Sequence, residues 1–175
     1  GSGITSANIA DGTIVNADIN SSAAIDGTKV SGSFGKVLQV VQGSYSTTVS
    51  SSATGWIDSG TAVSITPSST TSKILVLANL KAQSSTVSGQ AGFGVQIQRD
   101  STVIHTGSTK DVYKYGQGDS GTGNIRGRAV VQYLDAPATT SAITYKLYGD
   151  NAVTSVLYMQ EDGNTSYITL MEIGA

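Results

Sequence analysis

Residues 73–83 read KILVLANLKAQ and predict the longest strand of the chain. Leu75 and Leu77 share one face of this strand because successive side chains point in opposite directions. The other face is apolar at every second position, at Ile74, Val76, Ala78 and Leu80. A strand that is apolar on both faces is buried twice. We therefore expect one face to lie in a core and the other to lie against a further surface.

Strands with a similar pattern are predicted on both sides of this segment. Phe93, Val95 and Ile97 alternate within residues 91–100, and the chain closes with SYITLMEI at residues 166–173. Eight to ten short strands separated by turn signals, with no convincing helix, predict an all-β fold, a jelly-roll-like β-sandwich. An exposed apolar edge strand invites aggregation, so we expect the last strand to lie inside a sheet. Other strands are predicted at residues 36–42, 62–66, 103–105, 126–134, 143–148 and 154–160, and loops at residues 43–55, 84–90 and 106–124.

Charge and cysteine content exclude several classes of function. The 175 residues include 10 basic and 12 acidic side chains and no cysteine. Without a basic cluster, a nucleic-acid partner is not expected. No apolar run approaches the ~20 residues of a membrane span, so membrane insertion is not expected either. Disulfides and thiol catalysis are excluded.

The first 30 residues follow a different pattern, in which large aliphatic residues recur about every fifth position. Five is the period of neither a strand nor an ordinary helix. Residues 7–21 resemble pentapeptide repeats, which fold as a square β-helix, but they would supply little more than one coil. We therefore expect several chains to wrap together around a shared axis; the alternative is a flexible linker. The residues expected along that axis are Ile4, Ile9, Ile14, Ile19, Ile25 and Val30.

This change of pattern divides the chain into two predicted domains. Residues 1–35 form a repetitive trimerisation stem, and residues 36–175 form a β-sandwich head. The joint between them, SGSFG at residues 31–35, is rich in glycine and serine and is typical of a flexible connection.

Catalytic signals are weak. His105 is the only histidine, and the sequence around Ser120, GDSG, matches a serine-protease loop without a supporting histidine and aspartate. Glu161 and Asp162 are paired carboxylates, which glycosidases also use, but they lie in a predicted turn. We expect no catalytic residue, no metal and no cofactor; a loosely bound cation at Asp119 or Asp162 is an alternative.

A candidate binding site lies in the loop at residues 106–124. Tyr113 and Tyr115 are spaced by two and are accompanied by Lys110, Asp111 and Lys114. An aromatic surface beside hydrogen-bonding side chains suits a sugar ring, whose apolar face stacks while its hydroxyls find polar partners. We predict that these five residues contribute to a receptor site. The alternative is that the tyrosines only pin the loop or form a short extra strand.

Three segments together resemble a known family. They are ITSANIADGTIVNADIN at residues 4–20, GKVLQVVQ at residues 35–42 and YITLMEI at residues 167–173. They resemble the C-terminal part of bacteriophage tail-fibre proteins, particularly those of phages that infect aquatic cyanobacteria. The similarity covers essentially the whole chain and includes no active-site signature.

The resemblance implies a virion protein that is a homotrimer, with a stem joined to an upstream fibre shaft and a head that recognises the host surface. The predicted strand order also looks similar to trimeric jelly-roll modules of the tumour-necrosis-factor and complement-C1q type, in which the last strand lies near the trimer axis. A threefold axis would turn weak sugar contacts into firm attachment through avidity.

The resulting expectation is a non-enzymatic tail-fibre tip that binds a host cell-surface glycan or lipopolysaccharide as a homotrimer. The alternative is a purely structural fibre or capsid-decorating protein without receptor binding. A third class, a glycan-cleaving depolymerase, is disfavoured by the missing catalytic constellation.

Overall fold

The computed structural model describes residues 9–10, 12–20, 22–23, 36–86, 90–114, 123–151 and 156–174. The chain divides into two units, residues 1–34 and 35–175, and each is described by itself. In the first unit, a 3-10 turn spans Asn16–Asp18. Ile9, Ile14 and Ile19 are between 40% and 56% exposed, so their own chain does not bury them. The other predicted axis residues, Ile4, Ile25 and Val30, lie outside the described residues.

The second unit is an all-β sandwich of two antiparallel sheets, which confirms the predicted fold class at this level. Eleven strands are described, slightly more than the eight to ten expected. They are β1 (Val37–Tyr45), β2 (Val49–Ser51), β3 (Ile57–Ile65), β4 (Lys73–Thr86), β5 (Ala91–Arg99), β6 (Thr102–Thr106), β7 (Val112–Lys114), β8 (Gly123–Asp135), β9 (Ile143–Asn151), β10 (Val156–Met159) and β11 (Ser166–Ile173).

The first sheet has the order β1-β11-β4-β10-β2, with β8 paired to β4. Because β8 follows one edge of β4 along its whole length, β10 and β11 share the other edge. Met159 pairs with Ala82 and Tyr167 with Asn79, so β10 and β11 form one interrupted strand. Strand β1 pairs with β11 and strand β2 pairs with β10, so β1 and β2 lie one after the other along the outer edge of this interrupted strand. The first sheet is therefore four strands wide.

The second sheet has the order β3-β9-β5-β6, and β7 pairs with β5 on the same edge as β6. It is also four strands wide. The core lies between the two sheets and contains the predicted inward face of β5 and the longer of the two apolar faces of β4. Ile74, Val76, Ala78 and Leu80 of β4 and Phe93, Val95 and Ile97 of β5 are all buried.

Three predicted loops contain strand. Residues 43–55 include the end of β1 and all of β2, β4 continues through the predicted loop as far as Thr86, and residues 106–124 include β7. These segments carry few alternating apolar side chains, so the backbone ladders with neighbouring strands decide their conformation. The last strand, β11, has the predicted bounds and lies between β1 and β4, as expected.

The sandwich has two distinct ends. At the entry end, where β1 begins, Val37 pairs with Ile173 and Ile173 pairs with Lys73. Arg99 of the second sheet reaches Asp135 of the first sheet at this end, with 2.8 and 2.7 Å between its Nη1 and the two carboxylate oxygens.

At the far end, β4 stops and β5 begins, and Ala91 of β5 pairs with Lys114 of β7. In the first sheet, Ser85 pairs with both Asn124 and Val156. Lys114 and Asn124, which both belong to the long predicted loop, therefore lie at the end opposite to the start of β1.

Candidate functional site

The outer face of the first sheet, which points away from the second sheet, carries an apolar row. Direct cross-strand pairing places Val40, Met171, Leu75 and Leu134 side by side, one residue from each of the four strands. Val40 is 54% and Leu134 51% exposed. Leu75 belongs to the shorter apolar face of β4, which lies outside the core. Within the described chain, this apolar row stays open to solvent at both edges.

Farther along the same face, residues 160–165 leave the line of the interrupted strand, and we call this segment the excursion. It begins at Gln160, which is fully buried and has a left-handed φ of 55°. The Gln160 backbone N–H donates to Lys81 O at 3.0 Å, and its Nε2 donates to Ser166 Oγ at 2.8 Å. Asp162 is also left-handed, with a φ of 58°. The excursion is therefore anchored from below by a buried amide.

Two arginines of β8 hold the excursion across the outer face of β4. Arg126 Nη1 donates to Asp162 Oδ2 at 2.8 Å, and Arg126 Nη2 lies 3.3 Å from Glu161 Oε2. Arg128 Nη1 donates to Thr165 O at 2.8 Å. These contacts explain why acidic side chains of a turn reach over a neighbouring strand.

A small pocket of about 30 Å³ lies beneath the excursion. Lys81 and Gln83 of β4 form its floor, while Arg126, Glu161 and Asn164 line its sides. Gln83 is only 7% exposed, and its Oε1 has no hydrogen-bond partner. Glu161 Oε2 likewise accepts no hydrogen bond, since its contact with Arg126 at 3.3 Å is an ion pair without hydrogen-bond geometry. Buried polar atoms without partners are uncommon and call for an explanation.

The predicted receptor residues around Tyr113 are partly brought together. Lys110 Nζ lies 4.9 Å from the centre of the Tyr113 ring, which is a cation–π contact. The Tyr113 hydroxyl donates to Gln90 Oε1 at 2.7 Å. Lys114 is exposed at the end of β7, and Tyr115 lies outside the described residues. Tyr113 thus also fits the alternative, in which it pins the loop and belongs to a short strand.

Asp111 serves the turn that precedes β7. Its Oδ1 accepts from the backbone N–H of Ser108 at 2.9 Å, and its Oδ2 accepts from that of Val95 at 3.2 Å. Both carboxylate oxygens therefore have backbone partners. We assign Asp111 to the architecture of this turn, which the sequence pattern alone did not distinguish from a ligand-binding acid.

The described residues add no support for catalysis. The His105 ring packs on Tyr133 with 5.7 Å between ring centres. Ser120 and Asp119 lie outside the described residues. Among the residues that the structure describes, no group of three or more histidine, aspartate or glutamate side chains could hold a metal ion. Within the same residues, there is no helix long and apolar enough to span a bilayer.

No protein-family model matches this chain, and no curated protein matches it. Among solved structures, it is similar to one described as "Crystal structure of infectious bursal disease virus VP2 subviral particle". The identity is 12% and the TM-score 0.31, over 79% of this chain and 39% of that chain. The chain thus spans well under half the length of that structure. At this TM-score, the likeness bears on neither function nor assembly.

Proposed function

We propose that this chain is the distal attachment module of a bacteriophage tail fibre, a homotrimer whose head binds a host-surface glycan or lipopolysaccharide. The observation that carries the proposal is apolar surface left unburied in two separate parts of one chain. Ile9, Ile14 and Ile19 are exposed in the repeat, and the apolar row is open on the head. Exposed apolar patches of this kind mark association surfaces. Association of identical copies would cover both parts at once.

The strand order supports a jelly-roll head. Eight strands in two four-strand sheets define that fold, and counting each interrupted strand once gives this number here. Strand β11 lies inside the sheet that carries the apolar row. Modules of the tumour-necrosis-factor and C1q type place their last strand near the trimer axis, so this position favours a trimer that packs through the first sheet.

A cyclic trimer also suits attachment. Cyclic symmetry directs the same end of every copy to the same side of the assembly. The far end carries Tyr113 with Lys110 above its ring and is opposite to the start of β1, which follows the repeat in sequence. Three copies of a weak sugar site would then act together, while the stem would join the upstream fibre shaft at the virion.

Binding to immobilised cyanobacterial lipopolysaccharide, measured by biolayer interferometry, tests the proposal. We expect the trimer to be retained and the Val40→Asp variant, which breaks the apolar row, to dissociate quickly because avidity is lost. Val103→Asp changes a valine of similar exposure on β6 of the other sheet and serves as the control.

A trimer that is retained by none of a broad panel of host lipopolysaccharides and capsular polysaccharides would instead support the purely structural fibre or capsid-decorating protein. Release of reducing sugar during the same incubation would point to a depolymerase and would contradict the non-enzymatic assignment.

A further inference from the structure

The pocket beneath the excursion contains a buried carbonyl without a partner and is not one of the sites that the sequence predicts. We propose that it receives one hydroxyl group of a neutral saccharide, through Gln83 and Glu161 as acceptors and Lys81 as donor. This inference rests on the proposed function and deepens it, because it assigns the glycan contact to the outer face of the first sheet.

The polar atoms of the pocket match a hydroxyl better than other small groups. Gln83 Oε1 and Glu161 Oε2 have no hydrogen-bond donor, and Lys81, whose ammonium group can donate, also lines the pocket. A hydroxyl both donates and accepts, so one group can pair with both kinds of side chain. A phosphate or carboxylate would bring its negative charge against Glu161 and Asp162. An ammonium group would face Lys81 and Arg126.

The size of the pocket limits how much of a ligand can enter. A volume of about 30 Å³ admits one hydroxyl or hydroxymethyl group and little more. In the absence of ligand, a water molecule is the natural occupant of such a space. A saccharide would displace that water while its ring remains outside the pocket, so recognition would depend on one inserted group and on the surface around the opening.

An aromatic side chain lies in the same cross-strand row as two residues of the pocket. Tyr158 pairs directly with Gln83 across the strands, and Gln83 pairs directly with Arg126, so the three share one row of the outer face. Tyr158 is half-buried. A tyrosine beside hydrogen-bonding groups is the combination that suits a pyranose ring. The sequence predicted Tyr113 as a binding residue from the same combination. Tyr158 has, in addition, a neighbouring buried acceptor without a partner.

Two residues of the excursion have an unfavourable backbone conformation. Gln160 and Asp162 are left-handed residues other than glycine, a backbone state that costs free energy. An interruption of a strand that turns side chains towards a new position is frequent beside functional sites. The result is that Glu161 lines the same pocket as Gln83.

Gln83→Met separates a binding role from a structural one. Methionine keeps the volume of the side chain and removes its carbonyl. We expect retention on immobilised cyanobacterial lipopolysaccharide to weaken at least roughly tenfold, since a hydroxyl would lose its acceptor. The melting temperature should stay the same or rise, because an unpartnered buried carbonyl has been removed. Gln98→Met, on β5 of the other sheet, is the matched control and should change neither retention nor assembly.

Competition identifies the chemical class. Free glucose, galactose or mannose should displace the wild-type protein from the lipopolysaccharide, whereas inorganic phosphate at the same concentration and ionic strength should not. Displacement by phosphate alone would overturn the assignment to a hydroxyl.

Four outcomes would overturn the role of the pocket. Equal retention of Gln83→Met and wild type would show that the saccharide binds elsewhere. Loss of retention in Tyr113→Ala would place the saccharide site in the loop that includes β7. In both cases the proposed function stands. Loss of the trimer in Gln83→Met would make the pocket part of the subunit interface. Failure of the wild type to bind any saccharide would remove the proposed function and this inference together.

Discussion

Two buried polar side chains towards opposite ends of the first sheet, Glu172 and Gln83, differ in their hydrogen-bond partners. At the entry end, Glu172 is fully buried and both of its oxygens have partners: Oε1 accepts from the N–H and hydroxyl of Ser68 at 2.7 and 2.6 Å, and Oε2 accepts from Gln39 Nε2 at 2.6 Å. Towards the far end, Gln83 is nearly as buried and its Oε1 has none. The chain completes the first site by itself and leaves the second incomplete.

The apolar side chains show the reverse distribution. Near the entry end, Val40 and Leu134 remain about half exposed, although both belong to a row that spans the whole sheet. Under the excursion, the outer face is covered by charged and amide side chains. Exposed apolar surface can be buried by another protein surface, and a buried acceptor without a partner can accept a hydrogen bond from a ligand. We therefore propose that one end serves assembly and the other serves binding.

The largest expected effect is on assembly. Val40→Asp places a carboxylate in the proposed interface of every subunit, where it would lack a partner, so we expect the trimer to dissociate at micromolar concentration. Val103→Asp on β6 should leave the trimer intact, because that valine is similarly exposed at 48% but lies outside the apolar row. Sedimentation velocity distinguishes the two results. A trimer that tolerates Val40→Asp would separate the apolar row from assembly.

The next largest effect is on the free energy of unfolding, which should differ between two carboxylates that each pair with an arginine. Asp135 is buried, binds Arg99 through both oxygens and accepts from the Tyr145 hydroxyl at 2.7 Å. Burial, followed by the neighbouring carboxylate, raises the pKa of Tyr145, so its hydroxyl stays a donor. Asp135→Asn should therefore lower the free energy of unfolding by about 3–5 kcal/mol, as loss of a buried partner does.

Asp162→Asn removes the exposed partner of Arg126 and should cost less than about 1 kcal/mol. Urea unfolding at one fixed protein concentration measures both variants. Similar losses of unfolding free energy at the two positions would contradict the expectation that the buried pair at the entry end stabilises the fold more than the exposed pair at the excursion.

A smaller effect depends on pH. Burial opposes ionisation of Glu172, but hydrogen bonds from Ser68 and Gln39 outweigh burial and lower its pKa from 4.5 to about 2. The folded state therefore favours the carboxylate. Its contribution to stability is present above pH 4.5 and is lost as the pH falls towards 2. Thermal unfolding across this range should show a decline that is reduced in Glu172→Gln, and an identical decline in the variant would exclude Glu172 as its cause.

The strands of the core were predictable because their side chains alternate. In β4, apolar residues at every second position identify the strand. In β11, apolar side chains occur on both faces, so the sequence identifies the strand but not its inward face. The end of β1 has no such pattern. There, Gly43 approaches β3 so closely that a Cβ would lie 2.2 Å from Ala62 O, and only the packing of the two sheets reveals this requirement.

The pocket was not predictable from local sequence. The alternation in β4 places Gln83 on the outer face, but it does not show that another segment covers that face. Residues 161–164 have the composition of a turn, and their contact with Arg126 joins positions 36 residues apart. By contrast, Lys110 and Tyr113 are close in sequence, so their contact could be predicted.

The mass of the intact protein in solution, measured by light scattering after size-exclusion chromatography, tests the central claim most directly. The account predicts a trimer of about 53 kDa, three times the 17.8 kDa of one chain. A species of 17.8 kDa at micromolar concentration would show that one chain keeps its apolar row and its repeat isoleucines exposed, and it would contradict the account.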